Sequence, residues 1–217
     1  MTVTDHTTVD SGVSVVPSFT MAAATLRDVL TGGVVATGKD DMFPTLTGVR
    51  FSWADGGAVE IAATDRYRLV VGVTTTTGQN DGEFLLYRKH ALEIAKALPK
   101  PARGMRDADI TVSVVDRYVV FRIDTLEGSL TREYRTLDGE FPKYHSLIPS
   151  DDALTGDVPD GFSCRPEYMA DVAKLPHEIN TPVTWRFQTG HRPAVATYSE
   201  HNGISWTYLL MPVRIPS

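Results

Sequence analysis

The side chains able to do chemistry are present, but not in the constellations that chemistry needs. The six histidines include no HExxH pair and no paired-ligand spacing. Cys164, the single cysteine, has no CxxC partner, so no metal centre is indicated. Thr31-Gly32-Gly33 has the glycines of a phosphate loop without the Lys-Ser/Thr that would anchor a nucleotide. Asp40, Asp41 and Asp65 invite a reading as paired acids, yet turn and hairpin chemistry explains them more simply. For Asp65-Arg66, at the approach to a strand, a fixed local bond or ion pair is the expected role. No catalytic residue, cofactor or metal ligand is assigned, and the chain is expected not to be an enzyme.

Composition narrows the setting. With 217 residues, 42% of them hydrophobic and 22% charged, the chain can bury a core as one large or two small domains. A net charge of −6 argues against a surface that coats nucleic acid indiscriminately, while leaving room for a local basic strip. The longest apolar runs, such as Tyr208 to Val213, are too short to span a bilayer. The start, MTVTDHTTVDSG, lacks the basic and apolar parts of a signal peptide. One cysteine excludes an internal disulfide and suits a reducing compartment. A soluble, cytoplasmic chain without membrane contact is expected.

The elements that must position any site read as one pattern used three times, each in roughly 65 residues: strand, helix, then two or three strands. Residues 1–13 form a polar lead. In the first unit a strand at Val13–Val16 precedes a helix from Thr20 to Leu30, with Thr20 as N-cap and Gly32-Gly33 as its stop. Strands follow at Leu46–Phe51, Ala58–Ala62 and Tyr67–Val73, with Ala54-Asp55-Gly56-Gly57 as a hairpin turn. The second unit has a strand at Glu83–Tyr87, a helix at Lys89–Leu98 stopped by Pro99 and Pro101, and strands at Ile110–Val115, Tyr118–Ile123 and Gly128–Glu133. The third has Gly161–Cys164, a helix at Pro166–Leu175, and strands at Val183–Phe187, Ala194–Ser199 and Trp206–Ile215. Ile110, Val112 and Val114 alternate with Thr111 and Ser113, which predicts sheets with one buried face.

Three stretches are more specific. Phe43-Pro44-Thr45-Leu46-Thr47-Gly48-Val49-Arg50-Phe51, with Ala62-Ala63-Thr64-Asp65-Arg66-Tyr67-Arg68-Leu69, resembles the middle domain of bacterial DNA polymerase III β sliding clamps. Asp138-Gly139-Glu140-Phe141-Pro142-Lys143-Tyr144 through Leu147-Ile148-Pro149 resembles the segment that closes that domain. Tyr208-Leu209-Leu210-Met211-Pro212-Val213-Arg214-Ile215 resembles the family's C-terminus, most closely in its actinobacterial form. The resemblance implies an α+β clamp fold, with antiparallel sheets outside and helices on the inner face. It implies a middle-type clamp domain over residues 14–150 and, over 151–217, a half domain similar to the second half of the family's last domain. A chain shortened in this way fits a phage-encoded variant as well as a cellular one.

The resemblance also implies partners. Clamp partners, a replicative polymerase and the clamp loader among them, insert a peptide with apolar anchors into a groove. Here that groove is expected at Leu46, Thr64, Tyr67, Arg68, Leu69, Pro142, Leu147, Leu209, Met211, Pro212, Val213 and Arg214, an apolar concavity with polar groups at its rim. The alternative for its leucines is plain strand core. Ser146 stands where the family often has Arg, which removes one rim charge. Duplex DNA would be held without sequence preference through phosphates by Arg88, Lys89 and Lys96, with Arg27 and Lys174 on the other helices and Lys100, Arg103 and Arg106 in a loop. For any one of these cations the alternative is a solvated helix face. The leading expectation is a processivity clamp. The others are a binding module that captures clamp-binding peptides without ringing DNA, and an α+β enzyme that shares only the fold. A lone third unit would leave an apolar face uncovered, so self-association through residues 151–217, as a dimer or trimer, is expected.

Overall fold

The computed structural model describes residues 16–98, 108–125, 128–154, 161–188 and 192–213. The lead at 1–13, most of the strand expected at 13–16, and Lys100, Arg103, Arg106 and Arg214 lie outside them.

The first strand, β1 (Ser18–Ala22), buries Phe19 and Met21 and leaves Thr20 outside. Period-two burial thus holds this stretch as a strand, and Thr20 is not a helix cap. Its hydroxyl instead lies 3.1 Å from the Thr111 hydroxyl of a neighbouring strand. Helix α1 (Ala23–Gly33) begins without a side-chain cap, and the Ala23 amide is satisfied by the Ala108 carbonyl. Leu26, Val29 and Leu30 face inward at helical spacing. α1 ends at Gly33 as expected, but the two glycines are its last helical residues and not a cap beyond it. A Cβ on Gly32 would stand 2.5 Å from the Trp206 ring, and one on Gly33 2.7 Å from Val49, so both glycines serve close packing.

The strands that follow are β2 (Gly48–Trp53), β3 (Ala58–Thr64), β4 (Arg68–Gln79) and β5 (Gly82–Tyr87). Ala54–Gly57 turns β2 into β3 as expected, with Gly56 at φ +67°. Helix α2 (Arg88–Ala97) buries Ala91, Ile94 and Ala95. Then come β6 (Asp109–Val115), β7 (Tyr118–Thr125) and β8 (Gly128–Arg135). Two βαβββ halves result, and they exchange their first strands: β5 pairs with β2, while β1 pairs with β6. Helices α1 and α2 pack against each other over a shared core that includes Leu26, Phe51, Ile61, Leu86 and Val112.

The third unit is short: α3 (Pro166–Asp171), continued by a 3-10 turn, then β9 (Thr184–Arg186), β10 (Ala194–Thr197) and β11 (Ile204–Leu210). Residues 161–165 form no strand. β11 pairs with β4 from Ile204↔Thr74 to Leu210↔Arg68, on a strand that also pairs with β3 and, at its far end, with β1. Trp206, Tyr208 and Leu210 enter the same core as α1. The expected uncovered apolar face is therefore not found among the described residues. β4 pairs along the edge of β11 and the core shared with α1 takes its apolar face, and the exposed large apolar side chains of this unit are the scattered Met169, Ile179 and Val213. Every pairing between described strands is antiparallel, and the fold is α+β. No described helix is long and apolar enough to cross a membrane.

Candidate functional site

The turn between β3 and β4 is built by its own side chains. Thr64 Oγ1 donates to the Arg68 carbonyl at 2.8 Å and accepts the Arg66 amide at 3.1 Å. Asp65 Oδ1 accepts the amides of Tyr67 and Arg68 at 3.0 and 3.1 Å, and Oδ2 accepts Arg68 Nε at 3.0 Å. This is the local role expected of Asp65, with Arg68 rather than Arg66 as the ion-pair partner. The closure leaves Arg66 at φ +78° with its side chain exposed.

Arg68 is buried and does not stand at a rim. It pairs with Asp65 and with Asp171 of α3, and its guanidinium lies 4.5 Å over the Tyr168 ring. A buried cation persists only when paired in this way. Tyr67 is exposed, stacks on Tyr168 with centroids 6.1 Å apart, and lies under Arg165.

A second wall comes from residues 141–148. Phe141 and Tyr144 are buried edge to face, and Leu69, Leu85 and Leu209 join them in a small separate core. Tyr144 donates its hydroxyl to Glu60 and accepts from Arg50 Nη1 at 3.2 Å. Burial first, then the bond to Glu60, pushes the phenol well above its ordinary range. The 3-10 turn His145–Leu147 follows, and Leu147 projects outward at 47% exposure. The third wall is the tail. Leu209 faces Leu69 across the sheet, the Met211 amide bonds the Tyr67 carbonyl at 2.9 Å, and the Val213 amide bonds the Ser163 carbonyl at 2.7 Å.

Two cavities result. The first, about 230 Å³, is lined by Thr64, Arg66, Arg68, Leu69, Pro142, Lys143, Tyr144, Leu147, Leu209 and Met211. The second, about 330 Å³, shares Arg66 and Arg68 with the first and is also lined by Leu46, Tyr67, Phe43, Lys39, Asp40, Asp65, Tyr168, Thr37 and Gly38. Seven of the expected groove residues meet in the first cavity. Leu46 and Tyr67 belong to the second, while Pro212, half-buried, and Val213, exposed, line neither. Leu69 and Leu209 are floor and core at once, so both readings of those leucines hold. Leu147 is no core residue. Arg66, Phe43, Lys143, Tyr144, Tyr168 and Asp171 were not expected at the site. The turn chemistry of Thr64-Asp65 was the one signal that pointed toward Arg66.

The expected DNA-facing cations are placed unequally. Lys89 and Lys96 are exposed on one face of α2, bordering a shallow hollow with Glu93 between them, and the Lys89 ammonium lies 5.5 Å over the Tyr87 ring. Arg88 is half-buried and donates to the Thr37 hydroxyl at 3.2 Å. Arg27 donates to the Leu98 carbonyl at 3.2 Å, and Lys174 pairs with Asp171. No group of three or more His, Cys, Asp or Glu suited to a metal ion occurs among the described residues.

Residues 20–143 match the family described as DNA polymerase III beta subunit, central domain. The chain belongs to that family. The β sliding clamp of Synechocystis sp. is 30% identical over 141 residues, covering 59% of this chain and 34% of that protein. The β sliding clamp of Streptomyces coelicolor is 30% identical over 168 residues, covering 72% of this chain and 40% of that protein. The chain thus spans well under half the length of these beta subunit relatives. The DNA polymerase sliding clamp of Bacillus subtilis superposes with a TM-score of 0.71 at 18% identity, over 92% of this chain and 64% of that one. The Pseudomonas aeruginosa clamp bound to griselimycin gives 0.70 at 17% identity, over 96% and 68%. At such identity the likeness to the solved beta subunits is one of fold.

Proposed function

We propose that this chain is a sliding clamp-like processivity factor, a cytoplasmic and non-catalytic accessory of a replicative DNA polymerase. It holds clamp-binding segments of polymerase, clamp loader or related proteins near duplex DNA. The observation that carries this reading is the first cavity: Leu69 and Leu209, paired across the sheet, line it together with Leu147 and Met211, at the segments that carry the family resemblance. A concave apolar site with few placed polar groups fits a peptide with one bulky apolar anchor. Residues 16–150 supply two of its walls and residues 161–213 the third, in keeping with a clamp domain completed by a half domain. Self-association belongs to the same reading, through sheet edges such as β8 and β9, which each pair with one described strand only.

Anisotropy with a labelled synthetic peptide bearing two apolar anchors tests the groove, with griselimycin as competitor. Binding that is lost when Met211 to Ser217 are removed is expected; affinity untouched by that truncation would sink the assignment. A second reading, a peptide-capturing module that does not ring DNA, is favoured by the helix cations. Of the five, Arg88, Arg27 and Lys174 have fold contacts, and Glu93 stands between the two lysines left exposed. Salt-dependent binding of a random-sequence duplex separates the two: a steep loss with added salt supports the clamp, and no binding at low salt supports the module.

A further inference from the structure

The first cavity is apolar at its floor and cationic at its rim. Three cations line it, and Arg68 is neutralised by Asp65 and Asp171. Arg66 and Lys143 are exposed and have no ion-pair partner among the described residues, and no carboxylate lines this cavity. Two uncompensated positive charges thus frame an apolar hole on a chain whose net charge is −6.

Arg66 is also an odd choice for its backbone. At φ +78° glycine would sit without strain, and the turn's hydrogen bonds come from Thr64 and Asp65, not from the arginine side chain. Its guanidinium is seated 4.4 Å over the Phe43 ring and lines both cavities. Any extended segment with an apolar anchor in each cavity must cross it. A guanidinium on an aromatic face keeps its edge donors available and is weakly hydrated, so it can pair with a carboxylate without leaving its seat.

We propose that Arg66, supported by Lys143, is a specificity-determining residue that selects partner peptides carrying a carboxylate between two apolar anchors. This rests on the groove reading above. Between a peptide and a nucleic-acid phosphate, the apolar floor favours the peptide, because a phosphodiester backbone has nothing to bury against Leu69 and Leu209.

The test is anisotropy on the full chain with three synthetic peptides that share their apolar residues and differ only in the intervening one: Glu, Gln or Lys. Wild type should bind the Glu peptide about fivefold tighter than the Gln peptide at low ionic strength. Added salt should narrow that gap. R66G, whose backbone suits glycine, should bind Glu and Gln peptides alike, and R66E should prefer Lys, each judged by the ratio of affinities among the three peptides on the same variant. Equal binding of Glu and Gln peptides by wild type, or a Glu preference that survives in R66G, overturns the proposal while leaving the groove intact. If none of the three peptides binds, the groove reading itself fails. A short duplex that displaces the Glu peptide only when Arg66 is present, with no Glu preference over Gln, would reassign Arg66 to phosphate and overturn the proposal too.

Discussion

Around the β3–β4 turn, side chains from three distant stretches, 64–69, 142–147 and 209–211, converge on one cavity, and its buried charges are paired. On the exposed face of α2, Lys89 and Lys96 stand on a single element, seven positions apart, open to solvent. The first region is a shape held by a core; the second is a charge held by a helix. A site assembled from distant strands loses both fold and affinity when one support is removed. A pair of surface lysines can be removed with little cost to the fold and with an effect that salt already mimics.

The largest effect should come from the support rather than the lining. Arg68→Ala leaves Asp65 without its cation and Asp171 with the exposed Lys174 alone, and breaking a buried pair costs about 3–5 kcal/mol. Urea denaturation reads this directly. A loss under about 1 kcal/mol would mean that the turn does not depend on Arg68, and the contrast with α2 would weaken.

Next, the double change Leu147→Ala with Met211→Ala should cost about 2–4 kcal/mol of peptide affinity. Stability should fall much less, since Leu147 is 47% exposed. Calorimetric titration beside thermal melts separates the two quantities. Parallel losses of both would turn these residues from lining into core.

Tyr144 sharpens the comparison through pH. Its folded-state pKa lies above the ordinary phenol value of 10, from burial and from its bond to Glu60. Its contribution is therefore intact below about pH 10 and is lost as pH rises from there toward the folded value. Melting temperature should drop more steeply above pH 10 in wild type than in Tyr144→Phe, which itself should cost about 1 kcal/mol at neutral pH. Identical alkaline profiles would show that the phenol is not held as described.

The smallest effect on the fold is expected from Lys89→Glu with Lys96→Glu. Duplex affinity should fall and the salt slope should lessen by about one per lysine, with stability changed by under about 0.5 kcal/mol. An unchanged slope would remove α2 from any DNA contact.

Legibility in the sequence followed how local each cause was. The Ala54–Gly57 hairpin, the helix near Lys89–Leu98 and the alternation of Ile110, Val112 and Val114 were readable because turn chemistry and periodicity act over a few residues. The sequence puts the start of α1 too early because Phe19 and Met21, two apart, run straight into a helical spacing, and Thr20 lies where a cap would. Gly32 and Gly33 read as a stop because Trp206, which needs their small size, lies far along the chain. The exchange of β1 and β5, and the docking of β11 on β4, leave no local mark. Most of the first cavity was reached by family resemblance, whereas the backbone at Arg66 and the Arg68–Asp171 pair depend on contacts that no spacing rule encodes.

The central claim is that an apolar-anchored peptide sits between the β3–β4 turn, residues 142–147 and the tail. Residue-resolved amide shifts in NMR, recorded while such a peptide is titrated into the full chain, test it most directly. The account predicts the largest changes at Leu69, Lys143, Leu147 and Met211, with α2 silent. Changes centred on Lys89–Lys96, or a peptide that binds while Leu69 and Met211 stay unmoved, would contradict it.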